Sequence, residues 1–412
     1  MKSAILCVGS ELVLGEIVNT NSAWLAIHLA EIGLETIRHE TVGDDEPRLI
    51  DSLLHSVSDA DVVIITGGIG PTPDDITRQA LAKAAGVPLV RDSGALAHIE
   101  HLFAGWGRKM SPSNAIQADF PEGSTIIPNP RGTAAGFRMP LGRSEVFVLP
   151  GVPSEMKAMW EESVRNILLG KGNGGAVVTG TVNCFGRGEA DITDQIKDLM
   201  APGRNPSVGD TAEDAVIKVR IRATADTRDA AMKMIEATKA DVKRRLGDCV
   251  FGEDDDTLHS MVLRMLIERK ATVATAESCT GGLIAKLFTD ISGSSAAFIQ
   301  GVVAYHNEAK VRLLGVPREL IEKHGAVSEQ VARAMAEGAR AAASTDYAIS
   351  VTGIAGPTGG TPEKPVGLVY IAAASARGVE SREIRLRGTR EQIRDRAAKQ
   401  ALNLLRMVLI SS

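Results

Sequence analysis

Residues 61–85 of the 412-residue chain read DVVIITGGIGPTPDDITRQALAKAA. The apolar run near its start is typical of a strand that is buried on both faces of a parallel sheet. The glycine-rich segment 67–75 follows, and the spacing after it predicts a helix that ends at Ala85. Strand, glycine-rich loop and helix form a βα unit, and open α/β sheets bind ligands at such loops. This stretch therefore predicts an α/β fold with a ligand site at the carboxyl end of its sheet.

The same alternation of short aliphatic runs and amphipathic stretches continues through the first 170 residues. Further strands are predicted at 4–8, 35–41 and 145–149, and helices at 21–32 and 47–57. This alternation predicts a doubly wound α/β domain over residues 1–170.

Two boundaries divide the rest of the chain. The segment 170–175, GKGNGG, has the composition of a flexible linker, and the segment 252–256 is acidic. Between them a small α+β module is predicted, with strands at 176–185 and 216–224 and helices at 190–200 and 228–246. Strands and helices alternate again beyond it. We therefore expect three domains, at residues 1–170, 171–252 and 253–412.

Composition limits the classes of function. Hydrophobic residues make up 44% of the chain and charged residues 24%, which excludes wholesale disorder. A net charge of −5 and an aromatic content of 3% argue against a nucleic-acid partner. The GxxG at 172–175 joins a predicted helix to a strand, whereas an RNA-binding KH loop joins two helices. With no apolar run of ~18 residues and no CxxC pair, we expect a reduced, cytoplasmic protein without membrane contact.

The strongest local signal for chemistry is ESCTGG at residues 277–282. It follows a predicted strand and opens a predicted helix. Ser278 would then lie in the first helical turn, where unpaired N–H groups can stabilise an oxyanion. A serine at such a position is also a common N-cap, and on generic grounds that simpler interpretation is favoured.

Two further segments favour a catalytic interpretation. GVVAYHNEAK at 301–310 places Tyr305 and Lys310 just after a predicted buried strand, and VTGIAGP at 351–357 ends another. A serine near a lysine is a nucleophile–base pair if burial lowers the lysine pKa. Cys279 remains an equal rival to Ser278 on these grounds, because a thiol is intrinsically the better nucleophile.

The segments AESCTGG, VAYHNEAK, HGAVS and TGIAGP, which begin at residues 276, 303, 324 and 352, resemble the nicotinamide-nucleotide amidase family. That family forms the carboxyl-terminal domain of CinA proteins, and the resemblance runs from about residue 256 to the end. It implies that Ser278 forms the acyl-enzyme, with Lys310 and Tyr305 as further catalytic residues and no cofactor. The implied substrate-binding positions are Cys279, Thr280, Gly281, Gly282, Thr352, Gly353, and Arg390 or Arg394.

In the amino-terminal loop, backbone groups at Gly67, Gly68, Gly70 and Thr72 are suited to cradle a phosphate. The adjacent carboxylates of Asp74 and Asp75, and more weakly Asp44, are candidates to hold Mg²⁺ or a similar divalent metal against a pyrophosphate. Asp74 and Asp75 could equally serve only to complement the dipole of the helix that they open.

Segments EIVNTNS, PRGTAAGF and PGVPSEM, which begin at residues 16, 130 and 150, resemble the molybdopterin-binding-like domain of CinA proteins. The middle module resembles their KH-like domain. Family members commonly carry proline where Ala135 stands. The resemblance implies metal-dependent hydrolysis of ADP-ribose to AMP and ribose 5-phosphate in the first domain.

The combined resemblance implies a bifunctional enzyme of pyridine-nucleotide salvage and a homodimer. Its amidase would convert nicotinamide mononucleotide to nicotinic acid mononucleotide and ammonia. Two other interpretations stay open. The first domain could instead perform molybdopterin binding or adenylate transfer, and the whole chain could be a non-catalytic partner in competence or DNA damage.

Overall fold

The computed structural model describes residues 1–169 and 176–411. The predicted linker at 170–175, with its GxxG, lies outside the described residues. The chain divides into two compact units, Met1–Val178 with Ala223–Ile235, and Thr179–Arg222 with Glu236–Ser412. None of the described helices is both long and apolar enough to cross a membrane.

The first 169 residues alternate strands and helices, as predicted. The elements are β1 (Lys2–Val8), α1 (Ser10–Val13), α2 (Thr20–Glu31), β2 (Glu35–Val42), α3 (Glu46–Asp59), β3 (Val62–Thr66), α4 (Thr77–Ala85), β4 (Leu89–Arg91), α5 (Ser93–Gly105), β5 (Asp119–Pro121), β6 (Thr125–Ile127), β7 (Gly136–Leu141), β8 (Ser144–Leu149), α6 (Pro153–Met159) and α7 (Arg165–Leu169). A 3₁₀ turn at Pro112–Ala118 precedes β5, and a π-helical turn at Trp160–Val164 joins α6 to α7.

The main sheet of this part has the strand order β2-β1-β3-β8-β7-β6. Strands β2, β1, β3 and β8 are parallel, and β7 and β6 are antiparallel additions. Every residue of β3 is buried, as its apolar run predicted, with one core packed on each face of the sheet. The carboxyl ends of β1, β3 and β8 therefore meet at one edge, and the glycine-rich loop leaves from the middle of that edge.

The next stretch contains more strands than the sequence predicted. Its elements are β9 (Ala176–Phe185), α8 (Glu189–Ile196), β10 (Ser207–Glu213), β11 (Val216–Ala225), α9 (Arg228–Leu246) and β12 (Val250–Glu253), with the strand order β10-β11-β9-β12. The prediction of only two strands was wrong because β10 and β12 are edge strands. β10 is mostly polar and half-buried or exposed, so no apolar run marks it.

The carboxyl-terminal part is a second α/β layer structure. Its elements are α10 (Leu258–Glu268), β13 (Val273–Glu277), α11 (Leu283–Thr289), β14 (Phe298–Val303), α12 (Asn307–Leu314), α13 (Arg318–His324), α14 (Glu329–Ala343), β15 (Tyr347–Gly353), β16 (Leu368–Ser375), β17 (Gly378–Arg385) and α15 (Arg390–Ile410). The strand order is β14-β13-β15-β16-β17, with β14, β13 and β15 parallel. Helices α10, α11 and α15 pack on one face, and α13 and α14 on the other.

Candidate functional site

Three strand ends meet at one edge of the carboxyl-terminal sheet. Glu277, the last residue of β13, lies opposite Val303 of β14 and Val351 of β15 in the parallel register. Two further bonds extend this alignment, since Ser278 N–H donates to the Val351 carbonyl and Ala304 N–H donates to the Glu277 carbonyl. The three segments singled out in the sequence are thereby brought together in space.

Lys310 lies on α12 and is 1% exposed. Its Nζ is 3.1 Å from Ser278 Oγ, 2.9 Å from the carbonyl oxygen of Ala304 and 3.1 Å from that of Tyr305. Burial lowers the pKa of Lys310 below its ordinary value, and the nitrogen makes no ion pair with any residue that the structure describes. A neutral amine donates to two acceptors and presents one lone pair. The two carbonyls satisfy both donors, so the lone pair is left for the Ser278 hydroxyl.

A cavity of about 300 Å³ opens beside this pair. Of the predicted site residues, it is lined by Ser278, Cys279, Tyr305, Lys310, Thr352, Gly353 and Arg390, but not by Thr280, Gly281, Gly282 or Arg394. A side chain at position 353 would come within 2.8 Å of the Leu368 carbonyl, so the backbone there must be glycine to pass so close to β16.

The turn after β13 differs from the prediction. The helix that was expected to open at Ser278 begins only at Leu283, because Gly281 and Gly282 adopt left-handed φ angles of 62° and 90°. Ser278 is therefore neither an N-cap nor a first-turn residue. It lies on a short non-helical turn between strand and helix.

Glu277 occupies the helix-start N–H groups. Its carboxylate is buried and accepts hydrogen bonds from the amides of Gly282, Ile284 and Ala285 at 2.9–3.1 Å. The expectation that these N–H groups would hold an oxyanion was wrong for this reason. No role was predicted for Glu277 from the sequence, although an acidic residue at the end of an otherwise uncharged strand was a usable signal.

The amides of Cys279 and Thr280 are differently placed. Neither has an acceptor among the residues that the structure describes, whereas Gly281 N–H donates to the Ser278 carbonyl. Of the two residues, Cys279 lines the cavity, whereas Thr280 is fully buried, so only the Cys279 amide lies beside the space that a ligand could enter.

Cys279 is 5% exposed and belongs to the hydrophobic core beside β13. Burial raises the pKa of its thiol to about 12. Because the thiolate is the nucleophilic form of cysteine, this environment keeps the thiol inert near neutral pH. The burial and raised pKa of the Cys279 thiol therefore favour Ser278 over Cys279 as the nucleophile.

Tyr305 contributes to the site through two different groups. Its backbone carbonyl binds Lys310, whereas its exposed hydroxyl accepts a hydrogen bond from Arg390 Nη2 at 3.1 Å. Arg390 Nη1 donates to the Gly356 carbonyl at 2.7 Å, which places its guanidinium at the rim of the cavity. Arg394 instead donates to the Thr280 carbonyl at 2.7 Å, behind the turn that carries Ser278.

The glycine-rich loop after β3 packs closely against the ends of β1 and β8. A Cβ at Gly67 would lie 2.3 Å from the Val8 carbonyl, and Gly67 N–H already donates to the Leu149 carbonyl. The amides of Gly68, Ile69 and Gly70 have no acceptor in the described part of the chain. Ile69 is 1% exposed, whereas Gly68 and Gly70 are half-buried, so the amides of the two glycines are the ones suited to receive an anion.

Arg78, on helix α4, binds this loop through hydrogen bonds. It is 1% exposed and donates to the carbonyls of Ile69 and Gly70 at 2.5 and 2.7 Å. Burial lowers its pKa to about 10, so the guanidinium remains charged at neutral pH. Arg78 was not predicted from the sequence, because an arginine within a helix is ordinarily exposed.

The predicted acidic residues are not gathered into one cluster. Asp74 and Asp75 lie in a turn before α4, which begins at Thr77, so the expectation that they open the helix was wrong. Asp75 Oδ2 accepts hydrogen bonds from the backbone N–H and hydroxyl of Thr72, and Asp44 Oδ2 accepts one from Ser10 N–H. Among the described residues there is no group of three acidic, histidine or cysteine side chains placed to hold a metal.

A cavity of about 130 Å³ lies at the carboxyl ends of β1, β3 and β8. Glu11, Asn19, Asn21 and Thr66 contribute its polar lining, and none of the loop residues 67–75 lines it. The predicted phosphate loop and this cavity are therefore separate features of the first unit.

Comparison with protein families matches three successive segments of the chain. Residues 4–170 match the probable molybdopterin binding domain, residues 179–252 the damage-inducible protein CinA KH domain, and residues 255–409 the CinA C-terminal domain. A CinA-like protein from Geobacter metallireducens is 45% identical over all of this chain and all of its own length. This chain belongs to the CinA family.

Other relatives carry the competence name. A putative competence-damage inducible protein from Clostridium beijerinckii is 41% identical over the full length of both chains. The solved structure of competence/damage inducible protein CihA from Agrobacterium tumefaciens is 43% identical, covers 38% of this chain and 97% of its own, and has a TM-score of 0.36. The family assignment rests on the full-length relatives.

Proposed function

We propose that this CinA-family chain is a hydrolase of pyridine nucleotides with two sites. The carboxyl-terminal site hydrolyses nicotinamide mononucleotide to nicotinic acid mononucleotide and ammonia. The amino-terminal site hydrolyses ADP-ribose to AMP and ribose 5-phosphate with a divalent metal. The observation that carries the amidase assignment is the 3.1 Å contact between Lys310 Nζ and Ser278 Oγ in a buried setting beside a cavity.

In the proposed reaction, Ser278 Oγ attacks the carboxamide carbon while Lys310 Nζ takes the hydroxyl proton. The proton passes to the leaving nitrogen, ammonia departs, and an acyl-serine remains. Lys310 then takes a proton from water, whose oxygen attacks the acyl carbon. The bond between that carbon and Ser278 Oγ breaks, Oγ regains a proton from Lys310, and the acid is released. The amide of Cys279, which lines the cavity next to Ser278, is the proposed oxyanion donor, in place of the helix-start amides that bind the Glu277 carboxylate.

Arg390 is the proposed contact for the 5′-phosphate of the nucleotide. A guanidinium offers forked N–H donors that match a phosphate in geometry and charge. Its place at the cavity rim supports this role, whereas Arg394 is held against the Thr280 carbonyl and supports the turn. Tyr305 is proposed to orient Arg390 with its hydroxyl and Lys310 with its carbonyl.

At the amino-terminal site, the free amides of Gly68 and Gly70 and the charge of Arg78 support pyrophosphate binding. Mg²⁺ in proteins is often held by only one or two carboxylates together with substrate phosphates. Asp74 is exposed, and Asp75 keeps Oδ1 available, so this pair fits such a metal. When bound, the metal would offset the charge of the pyrophosphate. Asp44 stays a weaker candidate for the metal, since its Oδ2 accepts a hydrogen bond from Ser10 N–H and its Oδ1 remains available.

The three matched segments are proposed to act as three domains, with boundaries near residues 170 and 252. A homodimer and a cytoplasmic location complete the proposal. Sedimentation at several protein concentrations tests the dimer directly.

The deciding experiment incubates the purified full chain with nicotinamide mononucleotide and, separately, with ADP-ribose plus Mg²⁺, and separates the products by chromatography. The proposal expects the acid nucleotide with ammonia in the first reaction, and AMP with ribose 5-phosphate in the second. Unchanged nicotinamide mononucleotide beside cleaved ADP-ribose would remove the amidase assignment alone. If neither substrate is consumed and the chain binds DNA with a steep salt dependence, the competence-partner interpretation replaces the proposal.

A further inference from the structure

Two of the four cysteines are in contact inside the second unit. Cys184 lies near the end of β9, and Cys249 directly precedes β12, whose first residue Val250 pairs with Cys184 in the antiparallel register. The Cys249 thiol donates to the Leu246 carbonyl at 3.2 Å, and the Cys184 thiol interacts with the Cys249 sulfur. Both are free, so the fold holds an adjacent, reduced thiol pair at a sheet edge.

Two arginines lie close to this pair. Arg406 is 3% exposed and binds the residues that flank Cys249, donating to the carbonyls of Val250 and Asp248. The hydrogen bond from Cys184, reinforced by the positive charges of Arg187 and Arg406, lowers the pKa of Cys249. The thiolate is the form of cysteine that reacts with oxidants.

We propose that Cys184 and Cys249 are an oxidation site at which a peroxide converts the thiol pair to a reversible intramolecular disulfide. The amidase and pyrophosphatase assignments are not needed for this inference. Cys249 is 6% exposed and has the lowered pKa, whereas Cys184 is fully buried and its interaction with Cys249 raises its own pKa, so Cys249 reacts with the oxidant first.

The reaction balances in two steps. The Cys249 thiolate attacks one peroxide oxygen, the O–O bond breaks, and a sulfenic acid forms as hydroxide leaves and takes up a proton to become water. The Cys184 sulfur then attacks the Cys249 sulfur, the S–S bond forms, and the S–O bond breaks with release of a second water. Two thiols are oxidised and one hydrogen peroxide is reduced to two waters. A dithiol such as dithiothreitol reverses the change.

The remaining cysteines provide an internal comparison. Cys7 is buried in β1, and burial raises its pKa. Cys279 has the raised pKa described above, and neither thiol is in contact with another. Both are therefore expected to stay reduced under conditions that oxidise the pair.

The test treats the folded full chain with hydrogen peroxide, quenches it with a thiol-blocking reagent in denaturant, and maps the peptides by mass spectrometry. The expected result is a cross-linked peptide that joins Cys184 to Cys249 and weighs less by two hydrogen atoms. The other two thiols should be blocked as free groups. Dithiothreitol should restore four blockable thiols, and the oxidised chain should melt at a higher temperature because the cross-link restricts its unfolded state.

Variants sharpen the test. Cys249→Ser should abolish the cross-link, whereas Cys7→Ser, a substitution at another buried cysteine, should leave it intact. Four free thiols in the folded wild-type chain after peroxide would overturn the proposal. So would a cross-link that forms only in denaturant, or one that joins a different pair. These wild-type outcomes remain decisive even if the Cys249→Ser chain fails to fold.

Discussion

The Nζ atom of Lys310 is held between the Ser278 hydroxyl oxygen, at 3.1 Å, and two backbone carbonyls, those of Ala304 and Tyr305. The carbonyls can only accept hydrogen bonds, so they always receive protons from this nitrogen. The serine oxygen can accept or donate. The one contact whose direction can reverse when Lys310 loses its proton is therefore the contact with Ser278, as a general base requires.

The first prediction concerns pH. Because the pKa of Lys310 lies below its ordinary value, the fraction of neutral amine in the folded chain grows as pH rises through that lowered pKa. Amidase kcat/KM should therefore rise with pH and level off below the ordinary lysine pKa of about 10.4. Lys310→Arg should be inactive across the range, because guanidinium keeps its proton. Lys323→Arg, an exposed change on α13, is the matched control. A flat profile would contradict the role of Lys310.

The second prediction concerns Glu277. In Glu277→Gln, an uncharged amide with a single acceptor oxygen replaces the carboxylate that binds three backbone N–H groups. The free energy of unfolding should therefore fall by about 1–3 kcal/mol. The turn that presents Ser278 should loosen, and kcat should fall more than KM rises. Denaturant unfolding and steady-state kinetics measure the two effects. Glu337→Gln, at an exposed site on α14, should change neither. If the Glu277→Gln chain were less stable but kept the kcat of wild type, Glu277 would have only a structural role.

The third prediction separates the two arginines that the sequence could not distinguish. Arg390→Ala should raise KM for nicotinamide mononucleotide roughly 10- to 100-fold, the equivalent of losing a charge-assisted hydrogen bond. Its kcat should stay within a few fold. Arg394→Ala should act mainly on kcat, through the Thr280 carbonyl and the turn. If Arg390→Ala lowered mainly kcat and Arg394→Ala raised mainly KM, Arg394 would be the phosphate contact and Arg390 the residue that supports the turn.

The fourth prediction concerns the amino-terminal site. Asp74→Asn should abolish Mg²⁺-dependent ADP-ribose cleavage and leave ammonia release from nicotinamide mononucleotide unchanged, because the change removes a carboxylate ligand at one site only. Asp51→Asn, an exposed acidic position on α3, should affect neither reaction. Unaltered cleavage with an unaltered Mg²⁺ requirement in Asp74→Asn would show that the metal binds elsewhere.

The parallel strands of the six-stranded and five-stranded sheets were predicted well, because buried strands such as β3 and β15 are largely apolar runs. The sequence placed the segments that carry Ser278, Lys310 and Thr352 at strand ends, and the parallel pairing of β14, β13 and β15 brings these ends to one edge. Strands β4–β7, β10 and β12 were not predicted. The edge strand β10 is mostly polar, so no apolar run marks it.

Details of the two turns could not be obtained from pattern alone. The start of α11 depends on the left-handed Gly281 and Gly282 and on the Glu277 carboxylate, which folds back onto the helix that follows. Arg78 is buried only because two loop carbonyls require donors. Such contacts depend on where side chains meet in three dimensions. For the same reason, the burial that separates Ser278 from Cys279 became visible only in the structure.

The proposed attack of Ser278 on the carboxamide, with Lys310 as its base, can be tested by ammonia release from nicotinamide mononucleotide. The Ser278→Ala and Cys279→Ala chains are compared with wild type. We expect Ser278→Ala to lose activity by roughly 10³-fold or more and Cys279→Ala to keep most of it. A Ser278→Ala chain that still releases ammonia, beside an inactive but folded Cys279→Ala chain, would instead make the site a thiol amidase.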